Sequence, residues 1–356
     1  MTHSIGLIGC GGISSVWVDA VSQTPDCEIT KTFDVDAAAA VRKAEEIGAK
    51  SVSDLDELLA SPDIDMVVIG TPTFTHADLV VKSAEAGKHV MCEKPMSLSL
   101  GECQRMIEAC DSGGVKMAIG HSLRFWGAFH KTRQLISEGL IGTPVFGQIH
   151  RMGSAKIAES IPVDGEGSDR HWRFDTRYSG GNIPEGFIHE LDFSRAIFGE
   201  VQSVYCESTG NQTYGDKLSP VVVQAFVDYQ DGKTATVRMG GTVGYNWRGA
   251  TICGTAGTLS FDNWGGPVYH HHPDKESIEA IECLDTLAYK LELNDLIQAI
   301  ASDGEPENSG LNGKKDLGLC LAMYRSMELG KRMDFTNGIP DEVAVDWQYL
   351  GKNSIR

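Results

Sequence analysis

At 356 residues, with 41% hydrophobic and 22% charged side chains, the chain has a globular composition and the length of two domains. A formal charge of −18 argues against a nucleic acid or an anionic membrane as partner, since either calls for a clustered basic face. The opening Met1-Thr2-His3-Ser4-Ile5 has no basic, apolar leader character, and no run of about 18 apolar residues follows, so neither a secretory signal nor a membrane span is expected.

Over the first third, short apolar runs alternate with helical patterns. Strands are predicted at 4–8, 29–33, 50–52, 65–70, 88–92 and 115–120. Helices are predicted at 13–22, 36–46, from about 54, at 75–86 and at 100–111, with Ser53 and Asp56 as the capping pair of the third. This alternation predicts a doubly wound parallel sheet whose ligand lies outside the strand carboxyl ends, where the strand order reverses. The texture changes after about Ser122. An amphipathic stretch at 125–138 precedes strands at 145–152, 201–208, 221–229, 233–240 and 250–253, with a hairpin signal at Gln230-Asp231-Gly232. Helices are predicted at 287–301 and 317–330. The predicted organisation is an α/β domain over 1–122, followed by an α+β domain over 123–356 with a mostly antiparallel sheet.

The nine cysteines are scattered without metal-ligand spacing and read as reduced thiols of a cytoplasmic protein. His270-His271-His272 is predicted to be a solvated loop, because three adjacent histidines do not converge on one ion, and no metal is expected.

The first strand runs into Gly9-Cys10-Gly11-Gly12-Ile13-Ser14, a dinucleotide fingerprint with serine at its third small position. Gly9 would permit the tight turn, and Gly11 would let the backbone approach a pyrophosphate. The following helix N-terminus then offers its N–H groups to the phosphates. The ribose carboxylate is expected about 20 residues on, at the end of the second strand, where Asp34 stands. With Asp36 close by and no arginine directly after Asp34, a 2′-phosphate would be repelled, so NAD is expected over NADP.

Glu93-Lys94-Pro95 ends the fifth strand, at the edge where a nicotinamide should lie. Lys94 reads either as a surface lysine or as a hydrogen-bond donor to a substrate oxygen. In 180–192, Glu185, His189 and Asp192 share one face of a helix. His189 there is either a capping residue or a general base oriented by a carboxylate. Arg124 and the polar, aromatic His171-Trp172-Arg173 stretch suit a sugar or serve ordinary packing; Arg173 would also suit a carboxylate or phosphate.

Together these motifs resemble the Gfo/Idh/MocA oxidoreductase family along nearly the whole chain. The resemblance is carried by the glycine turn, Thr71-Pro72 with His76, Glu93-Lys94-Pro95, the stretch 121–125, Gly180-Gly181 with Gly186, and His189-Glu190-Leu191-Asp192. It implies a Rossmann domain and an α+β domain whose open sheet forms homo-oligomer contacts, a dimer or tetramer. It also implies hydride transfer between NAD and a secondary alcohol of a sugar, sugar acid or cyclitol. By position, it assigns Lys94, His189 and Glu185 to catalysis. Gly9, Gly11, Gly12, Ile13, Asp34, Thr71, Pro72, His76, Glu93 and Lys94 fall to the cofactor, and Arg124, Trp172, Arg173, Glu185 and His189 to a small polyhydroxylated substrate. Two residues depart from the family pattern. Glu185 stands where aspartate is usual, and Thr73 where asparagine often follows the threonine-proline pair. Two other functions stay compatible: an NAD-dependent glycosidase working through transient oxidation, and a non-catalytic dinucleotide-dependent regulator, whose mark would be loss of the lysine or histidine.

Overall fold

A computed structural model describes residues 3–153, 176–214, 217–240, 246–274, 277–284 and 287–343. The chain divides into two units, Met1–Ser122 with Leu287–Leu317, and Leu123–Thr286 with Gly318–Arg356.

In the first unit the apolar runs become β1 (His3–Ile8), β2 (Cys27–Phe33), β3 (Lys50–Ser51), β4 (Met66–Ile69), β5 (His89–Glu93) and β6 (Met117–Gly120). They pair in parallel in the order β3-β2-β1-β4-β5-β6. The four residues of β4 are all buried, as an inner strand covered on both faces requires. Chain order runs outward from β1 in one direction and then returns through β4, so the switch point lies between these two strands.

Helices α1 (Ser14–Ser22), α2 (Ala37–Ile47), α3 (Leu55–Leu59), α4 (His76–Glu85) and α5 (Leu100–Gly113) follow the strands as predicted. Asp36 caps α2 by accepting from Ala38 N at 3.0 Å, and Ser99 caps α5 from Glu102 N at 3.2 Å. The cap of α3 is Asp54, which accepts from Asp56 N at 3.0 Å, and Ser53 is left outside the helix. Both residues are good caps, and the backbone entering the helix chose between them.

The helix Ala288–Ser302 also belongs to this unit, contrary to the expected 123–356 block. Its Leu293 and Leu296 join Trp17, Val21 and Met91 in one buried cluster, and Tyr289 meets Trp17 edge-on with ring centroids 5.0 Å apart. The apolar stripe was visible in the sequence. The sheet that it covers was not.

The second unit holds a ten-stranded sheet. Its strands are β7 (Pro144–Met152), β8 (Val201–Tyr214), β9 (Lys217–Tyr229), β10 (Thr234–Gly240), β11 (Trp247–Gly254), β12 (Gly257–Phe261), β13 (Val268–His271), β14 (Ile278–Ile281), β15 (Met333–Thr336) and β16 (Ile339–Pro340). Their order is β14-β13-β12-β11-β7-β10-β9-β8-β15-β16. Pairing is antiparallel except between β7 and β10. The turn between β9 and β10 falls on the predicted hairpin residues, with Asp231 and Gly232 both at positive φ.

His270 and His271 lie on β13, not in a solvated loop, and His270 is buried. The strand is only four residues long, and a histidine run carries no β signature of its own. Across the sheet pack α6 (Gly127–Ser137) and α7 (Ile188–Phe198). Phe129 of α6 sits edge-on to Phe193 of α7 at 4.7 Å and to Phe261 of β12 at 4.8 Å, forming the aromatic centre of this core. The C-terminal helix Gly310–Leu329 begins seven residues before the predicted 317. Glycines at 310 and 313 disguise its first turns as a loop.

Candidate active-site residues in the two units

The glycine turn is built as the fingerprint requires. Gly9 has φ +94°, and a Cβ there would lie 2.8 Å from the Gly70 carbonyl carbon and oxygen, so only glycine fits. At Gly11 and Gly12 a Cβ would meet nothing within 4 Å, which is the open approach a pyrophosphate needs. Ile13 leads into α1, whose N-terminus carries no side-chain cap, and Ser14 Oγ donates to Gly11 O at 2.6 Å, closing the turn. Asp34 Oδ2 accepts from Cys10 N at 2.7 Å and Oδ1 accepts from Asp36 N at 2.8 Å. A carboxylate has about four acceptor sites, so each oxygen keeps capacity for a ribose hydroxyl while its position is set by two amides. Burial and the neighbouring Asp34 push the Cys10 thiol up to about 12, so this cysteine inside the turn stays neutral. The chain's own residues therefore fit a dinucleotide.

Beside this turn, Thr71 and Pro72 leave β4, and Thr71 Oγ1 lies 2.7 Å from Thr75 Oγ1. His76 opens α4 fully buried, with Nε2 2.9 Å from Thr71 O and Nδ1 3.0 Å from Pro95 O. Glu93 closes β5, also buried, and its Oε1 accepts from Trp17 Nε1 at 2.8 Å. Its Oε2 accepts from Lys94 N at 3.2 Å. Lys94 follows, half-buried, joined to Pro95 by a cis peptide bond. His76 and Glu93, expected among the cofactor residues, thus direct these bonds to the protein around Lys94.

The second unit carries the histidine helix. Gly180 and Gly181 both adopt positive φ, which accounts for the glycine pair. Tyr324 Oη donates to Gly180 O at 3.2 Å. Glu185 lies in a π-helical turn, Ile183–Phe187, and His189 in the first turn of α7; both are half-buried. The sequence period foresaw a helix here but not the π-turn, a rare element that often marks functional segments.

Asp192 is fully buried and takes both bonds of a fork from Arg124, Nε to Oδ2 at 2.7 Å and Nη2 to Oδ1 at 2.6 Å. Arg124, expected to face substrate, spends these donors on α7. Arg124→Met would leave Asp192 buried without this partner, and we expect a loss of about 3–5 kcal/mol, read by denaturant unfolding. A change under about 1 kcal/mol would show the pair to be dispensable.

Arg151 also braces this segment. It donates to Gly186 O, lies 2.9 Å from Glu190 Oε2, and stands over the Phe187 ring at 5.6 Å. Burial raises the Glu190 carboxyl above its usual range, against the pull of Arg151. Trp172 and Arg173 lie outside the described residues. Trp17 and Arg151 were missed from the sequence. Trp17 stands three residues after Ser14, a hint too weak by itself to name a partner 76 positions away.

The sequence model of the oxidoreductase family, NAD-binding Rossmann fold, matches residues 3–121, and that of the GFO/IDH/MocA C-terminal domain matches 129–260. Inositol 2-dehydrogenase of Rhizobium meliloti (strain 1021) is 30% identical over 341 residues, 92% of this chain and 97% of that protein. A protein named 2,7-anhydro-N-acetylneuraminate hydratase, from Escherichia coli (strain K12), is 28% identical over 260 residues, 72% of this chain and 67% of its own. Levoglucosan dehydrogenase, solved with NADH and levoglucosan, shares the fold with a TM-score of 0.83 at 20% identity, over 94% of this chain and 99% of that one. The chain is an enzyme of a two-part, NAD-binding oxidoreductase class. It belongs to the Gfo/Idh/MocA family.

Proposed function

We propose that the protein is an NAD-dependent dehydrogenase that moves hydride between the nicotinamide and a secondary alcohol of a sugar, sugar acid or cyclitol. The observation that carries this reading is Lys94, a lysine at the carboxyl end of β5 in a turn anchored on a nucleotide-binding sheet. The relative named for inositol adds the substrate class. NAD, when bound, supplies the hydride acceptor.

His189 takes the hydroxyl proton on its imidazole, and Lys94 donates a hydrogen bond to the same oxygen as charge develops there. Glu185 accepts from a neighbouring substrate hydroxyl. Trp172 and Arg173 remain proposed substrate-binding residues on this reading. The preference for NAD over NADP is supported by Asp34, whose carboxylate is held by two amides at the end of the second strand, where the fingerprint expects a partner for ribose hydroxyls.

Incubating the protein with polyols, aldoses and sugar acids, with NAD and NADP in parallel, tests the proposal. NADH formation with at least one of them is expected, at least tenfold faster than NADPH formation. Absence of reduced nucleotide with every class would refute it. Asp34→Ser is expected to weaken NAD binding roughly tenfold, the scale of lost charge-assisted hydrogen bonds, and to erase the discrimination against NADP. An unchanged preference would remove Asp34 from the argument.

A second reading is favoured by the relative named as a hydratase. It is a reaction without net redox change, in which transient oxidation activates the sugar and the cofactor ends as it began. Product formation with no accumulation of NADH would select it.

A further inference from the structure

We propose that Trp17 and His76 are positioning residues that grip the Glu93-Lys94-Pro95 turn from its two ends and thereby set where the Lys94 side chain stands. The inference rests on reading Lys94 as the lysine that meets the substrate oxygen.

Each end of the turn has its own anchor. On the Glu93 side, the carboxylate is buried and spans two donors, the Trp17 indole at 2.8 Å and the Lys94 amide at 3.2 Å. Trp17 is itself held. It is fully buried on α1, three residues after Ser14 of the phosphate turn, with Tyr289 edge-on against its ring at 5.0 Å. On the Pro95 side, the fully buried His76 places one ring nitrogen 3.0 Å from Pro95 O and the other 2.9 Å from Thr71 O. Carbonyl oxygens only accept, so a neutral ring donates to one of these carbonyls and only a doubly protonated ring bonds both; the tautomer protonated at Nδ1 holds Pro95 O.

The turn after β5 is therefore braced by α1, which starts at the glycine turn, and by α4, which starts at the Thr71-Pro72 loop. A lysine side chain has four rotatable bonds, and its own flexibility would blur the ammonium position. Fixing both flanks removes the backbone contribution to that blur. A misplacement of about 1 Å can cost a hundredfold in rate. Neither Trp17 nor His76 needs to touch substrate for this role.

The test uses the holoenzyme with its best alcohol substrate and four variants: Trp17→Phe, His76→Ala, His76→Gln and Lys94→Ala. Trp17→Phe keeps an aromatic ring against Tyr289 and removes the indole donor together with part of the ring volume. We expect Trp17→Phe and His76→Ala each to lose roughly ten- to a hundredfold in kcat. NADH affinity, read by nucleotide fluorescence in the absence of substrate, should stay within about threefold of the parent, less than one lost hydrogen bond would cost. His76→Gln, whose amide N–H reaches one carbonyl, should recover part of what His76→Ala loses.

Normal turnover in Lys94→Ala would overturn the reading of Lys94 itself. With Lys94→Ala inactive, normal turnover in both Trp17→Phe and His76→Ala would overturn the positioning role alone. A fall in NADH affinity as large as the fall in kcat would overturn it too, showing that these residues serve the nucleotide. If Trp17→Phe does not fold, the two His76 variants decide the matter by the same comparison.

Discussion

Lys94→Ala should lower kcat by about a hundred- to a thousandfold, the cost typical of removing one donor from a developing oxyanion. The ammonium is expected to matter more to the transition state than to the ground state, because the substrate oxygen gains negative charge only as its proton leaves, and hydride departure then disperses that charge into the carbonyl. The loss should therefore fall on kcat and kcat/KM together, with KM changing little. NADH binding should be nearly unaffected, since the glycine turn, Asp34 and the free approach at Gly11 and Gly12 are built without the lysine side chain. Steady-state kinetics on the best substrate, with NADH titration alongside, checks both halves. A variant that kept most of its kcat but bound substrate poorly would make Lys94 a binding residue only.

Replacing His189 by alanine should cost about a hundred- to ten-thousandfold in kcat, the range for a positioned general base. The histidine is held in place from its own chain neighbours. Arg151 bonds the carbonyl of Gly186 on one side of it and pairs with Glu190 on the other, while Arg124 locks Asp192 one turn further on. The substitution removes a half-buried ring and leaves these braces in place, so the fold should survive. What should change besides rate is the pH profile. If His189 is the base, its protonation shapes the acid limb of kcat/KM in the oxidative direction, and the bend where that limb levels off should vanish in His189→Ala. The residual rate should then rise with hydroxide. Retention of an unchanged acid limb would assign proton transfer to another group.

Much of this enzyme could be read along the chain because its first unit obeys local rules. The period of the apolar runs found all six parallel strands, and Asp36 is set by cap chemistry two positions away, whereas Gly9 also answers to the Gly70 backbone and Asp34 to the Cys10 amide, both from other segments. Near the candidate site the reading was thinner. The 180–192 segment was recognised as a helix bearing Glu185 and His189, yet its π-turn and the engagement of Asp192 by Arg124 were not visible. Helical spacing says which residues can share a face. It does not say which partner from a distant segment will claim a carboxylate.

Short elements failed for a related reason. β13 has four residues, two of them histidines, and draws its identity from the ladders on either side. A strand is defined by its neighbours, so propensity summed over four positions cannot establish one.

From the sequence came the class of chemistry: a phosphate turn, a ribose carboxylate about 20 residues beyond it, a lysine after the fifth strand and a histidine on a helix. Folding alone settled who holds them. Ala288–Ser302 packs against Trp17 in the first unit, Trp17 reaches Glu93 across the sheet, and the His76 ring stands between carbonyls that are nineteen and five residues from it. Such contacts depend on burial and on strand order, both of which arise from the whole chain collapsing together, and no local pattern contains them.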